Sequence, residues 1–307
     1  MAAMAGVSAI SPISLLAQAG SPFRVAVIND EISQDFGHAS EVAAHDFGMH
    51  WIELRGMWKK NIVNLDEKEV AEARAILEKY ELKVTDIASP LFKVDFPGAP
   101  KSKFGSEGGF GADFTFDQQD EVLDRAIAMA KAFRTDRVRC FDFWRLEDQA
   151  PYRKAINEKL LQAANKCGEN GITLVLENEP SCNTATGAEA AKVLDAIETP
   201  HLMLNWDPGN AATLGETPYP DGYKLLPKKR IGHCHCKDAV KTAKGYEWAP
   251  MGGGIIDWLG QFKALKRDGY HFAVSLETHW NGGGSPEESS RKSWAGMKKL
   301  LEEANAL

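Results

Sequence analysis

Eight short apolar segments, each followed by a longer linking stretch, recur along this chain from Phe23 to its end. The candidate strands are residues 24–29, 50–55, 83–88, 137–142, 172–177, 202–207, 231–236 and 272–277. Between them, residues 66–80, 118–133, 151–167, 187–197 and 257–268 carry apolar side chains at helical spacing. In 66–80, Val70, Ala73, Ile76 and Leu77 form one stripe, and Asp66 stands at the start as a cap signal. Strands and helices alternating at intervals of roughly 35 residues predict a single (β/α)8 TIM barrel, residues 23–307, as one catalytic domain. A doubly wound open sheet is the alternative. It would normally carry a glycine-rich first turn, and Ile28-Asn29-Asp30-Glu31 has no glycine.

The last four strands share a design: each ends on a side chain that can bind a metal. They close on Glu177, Asp207, His235 and Glu277. Side chains alternate along a strand, so Thr173, Val175, Met203, Asn205, Ile231, His233, Ala273 and Ser275 share the ligands' face. The other face holds Ile172, Leu174, Leu176, Leu202, Leu204, Trp206, Phe272, Val274 and Leu276. It is fully apolar and suits a helix layer, while the mixed face suits a barrel interior turning polar at its carboxyl end.

Strands five to eight are neighbours around a barrel, so their tips converge. Three carboxylates and one imidazole make a hard, oxygen-rich site for one divalent ion, Mn²⁺ or Mg²⁺ before Co²⁺ or Zn²⁺. A lone Asp or Glu at a strand end is more often a cap or an ion-pair partner, and Asp207-Pro208-Gly209-Asn210 alone reads equally well as a turn. Four on consecutive strands favour the metal reading. An ion holding two oxygens of a hydroxyketone acidifies the carbon beside the carbonyl, and Glu177 and Glu277, on strands separated by two others, could flank that carbon. His233, one layer deeper than His235, is read as a hydrogen-bonding support rather than a ligand. Trp144 is read as an apolar wall for a sugar ring. Trp280 and His279 follow the eighth strand and stand where they could touch substrate. Lys237 is on the outward parity and turns inward only if the strand has ended before it.

The net charge of −7 argues against a nucleic-acid partner. Five cysteines form no zinc-like pair, and parity turns Cys234 and Cys236 away from His235. Residues 1–22 read as an export-signal remnant or a disordered arm. The segment has no charge before Arg24, and Leu16-Ala17-Gln18-Ala19 has the form of a signal-peptidase site. A periplasmic protein is therefore expected, with a cytoplasmic one as the alternative. The apolar run is too short and interrupted for a membrane span. Three long loops, 91–117, 238–256 and 278–289, leave carboxyl ends of strands and are rich in Gly and aromatics, which is read as a lid.

Glu177-Asn178, Asp207-Pro208-Gly209-Asn210, Gly232-His233-x-His235-x-Lys237-Asp238, Pro250-x-Gly252-x-Gly254-x-x-Asp257-Trp258 and Leu276-Glu277 together resemble the motifs of the sugar phosphate isomerase/epimerase family. That family lies within the xylose-isomerase-like barrels, which include ketose 3-epimerases, hydroxypyruvate isomerase, inosose dehydratase and endonuclease IV. The resemblance implies that Glu177, Asp207, His235 and Glu277 bind the metal and that the two glutamates form the acid/base pair. It also marks three substrate-side departures: Asn210 where ketose epimerases have His, Lys241 where they have Arg, and the extra carboxylate Glu179.

The leading expectation is a metal-dependent isomerase or epimerase of a keto-sugar or polyol, working through an enediolate. The alternative is a lyase or dehydratase on a keto-sugar, inosose or 3-keto-glycoside, motivated by Glu179 and Asn210. Endonuclease IV chemistry needs several more histidines, and strands two and three end in Arg55 and Ala88. A non-catalytic sugar-binding barrel is the remaining reading. The expected partner is a small sugar or polyol, and a homo-oligomer stays open.

Overall fold

The computed structural model describes residues 20–105 and 114–307. The eight barrel strands are β1 Arg24–Val27, β2 Trp51–Leu54, β3 Lys83–Leu91, β4 Arg137–Cys140, β5 Thr173–Glu177, β6 Leu202–Trp206, β7 Ile231–Cys236 and β8 Ala273–Leu276. They form one parallel sheet in the order β1-β8-β7-β6-β5-β4-β3-β2. A parallel bridge between Ile28 and Glu53 joins the two edges. The chain is a (β/α)8 barrel, and each expected strand is present, with β3 running on to Leu91.

The helices between the strands are α1 Phe36–Glu41, α2 Glu67–Lys79, α3 Gln119–Ala132, α4 Arg153–Glu169, α5 Gly187–Ala196, α6 Pro208–Thr213, α7 Trp258–Arg267 and α8 Pro286–Glu303. α2 starts where Asp66 caps it: its side chain accepts from the Glu69 N–H while the Glu69 carboxylate accepts from the Asp66 N–H. Ala73 and Leu77 are buried on its inner stripe. The outward face of β5 to β8 packs into the apolar layer under these helices, and Cys234 and Cys236 lie within it. All five cysteines are free and buried. No helix among the described residues is long and apolar enough to cross a membrane.

Two of the expected loops have structure of their own. Residues 238–256 contain an antiparallel hairpin, Asp238–Thr242 with Gly245–Ala249. The chain then folds back onto Asp238, whose carboxylate accepts from the N–H groups of Ala239, Gly252, Gly254 and Ile256. Gly254 is required there, since a Cβ would come 2.1 Å from Asp238 Oδ1. In 91–117, Phe92, Phe96 and Phe116 pack on Phe143 at the barrel rim, so these aromatics build a wall of the scaffold. The middle of that expected lid, 106–113, lies outside the described residues, as do residues 1–19 of the expected export segment. Ser21 is already tied to the barrel, donating from its hydroxyl to the Ala306 carbonyl.

Candidate metal centre

The four strand-end residues meet. Glu177, Asp207, His235 and Glu277 each present one ligand atom within 4.8 Å of the others, and all four are buried. His235 Nδ1 faces the three carboxylates, 3.3 Å from Glu277 Oε2, 3.5 Å from Glu177 Oε1 and 3.8 Å from Asp207 Oδ2. Its other nitrogen, Nε2, lies 2.9 Å from Glu53 Oε1 on β2. The second Glu53 oxygen takes His233 Nε2 at 3.0 Å. A carboxylate behind the ring aims the imidazole and raises its basicity, the usual support of a metal-binding histidine. The donor set fits a hard divalent ion: three converging carboxylates, one oriented imidazole, and little exposure to solvent.

The acids are neutralised from two directions. From the first half of the barrel, Arg139 NH1 reaches Glu177 Oε2 at 3.1 Å and Arg55 NH1 reaches Glu277 Oε1 at 3.1 Å. Arg55 also holds Asp30 at 2.9 Å and Glu31 at 2.7 Å. From the second half, Lys237 Nζ stands 2.6 Å from Glu277 Oε2 and 2.8 Å from Asp207 Oδ2. β7 ends at Cys236, so the strict alternation is broken and Lys237 turns inward. Its stem crosses Gly209, where a Cβ would sit 2.5 Å from Lys237 Cγ. The Trp258 indole N–H donates to the Lys237 carbonyl and fixes the turn.

These charges set the protonation states. Burial pushes the Glu177 carboxyl up, but His235 and Arg139 outweigh it and hold it at about 2. Burial likewise opposes ionisation of Glu277, and Lys237, His279 and His235 hold it well below the usual carboxylate range. Asp207 is pushed up to about 6, by burial first, with Lys237 pulling down and the neighbouring glutamates pushing up. His235 is raised well above an ordinary imidazole: burial lowers it, and Glu53, Glu277 and Glu177 prevail. These shifts favour ionised glutamates facing buried cations, with His235 and Lys237 beside Arg55 and Arg139. A dication held by the four donors would compete with the proton on His235, so its uptake would be pH-dependent.

Among the other residues singled out from the sequence, Asn210 donates to Glu177 Oε1 at 3.2 Å and to the Asn178 carbonyl at 2.9 Å. Trp280 lines the cavity above the tetrad, and His279 reaches Glu277 Oε1 at 3.2 Å from a left-handed backbone, φ 44°. Glu179 lies at the mouth, 3.6 Å from Lys93 Nζ, and accepts from the Ser181 hydroxyl at 2.9 Å. Trp144 is buried at the rim with Phe141 and Cys182, and Phe141 faces the inner cavity together with Trp280. Lys241 is exposed on the hairpin, its ammonium over the Tyr246 ring, because the hairpin carries it away from the strand tip.

Glu53, Arg139 and the pairing role of Arg55 were not anticipated. A signal existed: Glu53 interrupts an otherwise apolar strand, Arg139 lies mid-strand between Val138 and Cys140, and charged residues are buried there only when paired. Asp86 on β3 is another, fully buried and with neither oxygen hydrogen-bonded among the described residues.

Fold and site define a single-domain (β/α)8 barrel with a candidate divalent-metal centre at the carboxyl ends of its last four strands. The model of the xylose isomerase-like TIM barrel family matches residues 42–307, and the chain belongs to that family. It is similar in structure to a probable 3-DHS dehydratase from Bacillus anthracis, with a TM-score of 0.68 and 18% identity over 91% of this chain and 98% of that one. It is likewise similar to a D-allulose 3-epimerase from Methylomonas sp., with a TM-score of 0.68 and 16% identity over 92% and 98%. A third, from Mycobacterium smegmatis in complex with magnesium, has a TM-score of 0.66 and 15% identity over 92% and 98%.

Proposed function

We propose that this protein is a divalent-metal-dependent isomerase or epimerase of a keto-sugar or related polyol. The observation that carries this reading is the pair of buried glutamates, Glu177 and Glu277, standing on either side of Asp207 and His235 around the strand tips. A divalent metal held by the four donors would supply Lewis-acid chemistry that acidifies the hydroxyl-bearing carbon beside a substrate carbonyl. One glutamate then takes the proton from that carbon, giving an enediolate, and the other returns a proton to the neighbouring carbon or to the opposite face. Arg139 and Arg55 each bond one oxygen of a glutamate and so fix its orientation. Lys237 places a positive charge where negative charge develops on the substrate.

The cavity above the tetrad supports a small polyhydroxylated ligand. It has a volume of about 590 Å³ and is lined by Asp30, Arg55, Arg139, Glu177, Glu277 and Trp280 among others. A lyase reading draws on one specific feature, the extra carboxylate Glu179 at the mouth of the cavity. The family's structural neighbours include both an epimerase and a dehydratase by name.

The test is to load the protein with Mn²⁺, offer a ketose panel in deuterium oxide, and follow exchange at the carbon beside the carbonyl. The expected result is exchange that falls about 10²–10⁴-fold in Glu177→Gln and in Glu277→Gln. Exchange that survives both substitutions would remove the two-glutamate mechanism. An unsaturated ketone absorbing in the near ultraviolet would replace it with elimination.

A further inference from the structure

The cavity above the tetrad does not end at the sugar-sized chamber. A second chamber, of about 790 Å³, opens beside it. The two share Glu179 and His279 in their walls, so these residues mark the joint. Their linings differ in emphasis. The inner chamber is dominated by acids and arginines, with Phe141 and Trp280 beside them, while the outer one sets Phe104, Leu214, Pro180 and Trp248 among short polar side chains such as Ser181 and Thr213.

Two of these apolar groups are unusual for this molecule. Phe104 and Leu214 are 48% and 47% exposed, and both belong to the small set of large hydrophobic side chains left exposed among the described residues. Apolar groups gathered on a concave surface mark a ligand or partner site rather than ordinary surface. Trp248 connects the chambers: its ring meets His279 edge-on at 5.5 Å, and the Lys237 ammonium lies 4.9 Å from its centroid. The apolar chamber therefore begins next to the metal donors, within reach of a substituent on a bound sugar.

An anion is a poor occupant for the outer chamber. Arg145 is already engaged by both oxygens of Glu189, at 3.2 and 2.6 Å, and by the Cys182 carbonyl. Lys93, at the joint, faces Glu179. Together the two clefts, of about 590 and 790 Å³, offer more room than one sugar ring requires.

We infer that the substrate is a carbohydrate carrying a bulky, uncharged apolar substituent, with the sugar at the metal and the substituent against Phe104, Leu214 and Trp248. This rests on the proposed action of the tetrad on a sugar. The glycosidic or ether link would lie at the joint, beside Glu179 and His279.

Calorimetric titration of the Mn²⁺-loaded protein with free hexoses, their methyl glycosides, their 4-nitrophenyl glycosides and hexose phosphates tests the inference. The expected result is binding of the aryl glycosides at least about tenfold tighter than of the methyl glycosides. Leu214→Asp and Phe104→Asp should erase that preference and leave methyl-glycoside binding in place. Equal binding of aryl and methyl forms, a preference that survives both substitutions, or tightest binding of the phosphates would overturn it while leaving the sugar reading intact. If no sugar of any kind binds, the proposed function falls, and this inference with it.

Discussion

The two halves of the barrel do different work at the same site. β5 to β8 contribute the four candidate metal donors, whereas β1 to β4 and their loops contribute Glu53, Arg55 and Arg139, which pair with three of those donors, and Asp30, which holds Arg55. Each arginine from the first half reaches across to one glutamate of the second. Glu53 likewise spans the barrel to reach His233 and His235. A cluster of buried acids is self-repelling, and in a low-dielectric interior it persists only if paired. Lys237 supplies part of that pairing from the second half, and Arg55 and Arg139 supply the rest from the first.

The sharpest way to break that division is Arg55→Met. The substitution strands Asp30, Glu31 and Glu277 around a missing guanidinium. Removing one partner of a buried ion pair costs about 3–5 kcal/mol. A loss of that size is expected in urea denaturation followed by circular dichroism. A loss indistinguishable from that of a surface substitution would mean the acids are stabilised by some other route.

Asp86 tests the same division through pH. Burial, reinforced by the charge of Glu53, pushes this carboxyl up to about 7, with His233, His235 and Arg139 pulling the other way. Its folded value lies above the ordinary one, so between pH 4 and 7 the folded chain keeps a proton that the unfolded chain has lost. This contribution to stability is present below about pH 4 and is lost as pH rises through about 7. Asp86→Asn, which keeps shape without titrating, should match the parent at pH 4.5 and exceed it at pH 8. Parallel stability curves would show that Asp86 is ionised in the fold throughout.

What could be read from the sequence follows the same boundary. The eight strands and the α2 cap were legible because apolar periodicity and a capping pair are local properties. The convergence of Glu177, Asp207, His235 and Glu277 was legible because barrel topology makes consecutive strand tips neighbours. The clamp was not, because Arg55 and Arg139 reach their partners across the barrel, and only the closed sheet fixes those distances. Lys237 was legible only as a condition: alternation holds only while the strand lasts, and β7 stops one residue before it, so the inward branch applies. Residues 238–256 read as a loop because their hairpin buries little apolar surface and so leaves weak periodicity.

Glu53→Gln sharpens the comparison at the donor level. The amide keeps the shape behind His235 but removes the negative charge that raises the imidazole's basicity. Removing such a support typically weakens metal binding about 10–100-fold, measurable by chelator competition with Mn²⁺. An unchanged affinity would show that the three carboxylates alone set it.

The smallest expected effect belongs to Lys241. In the resemblance to the ketose epimerases this position corresponds to a substrate-contacting arginine, yet here it is exposed on a hairpin with its ammonium over Tyr246. The lysine that pairs with the tetrad is Lys237, four residues earlier, and it already bridges Asp207 and Glu277. Lys241→Ala should therefore change stability by less than about 0.5 kcal/mol and leave sugar binding and exchange rates as they were. Stability alone does not decide the point, because a surface lysine that reaches substrate only during turnover would also be neutral for folding. The deciding measurement is KM against kcat. A rise in KM of tenfold or more with kcat unchanged would mean that the hairpin folds over the mouth when substrate is bound, and that the outer half of the site is completed by motion rather than held open by the fold.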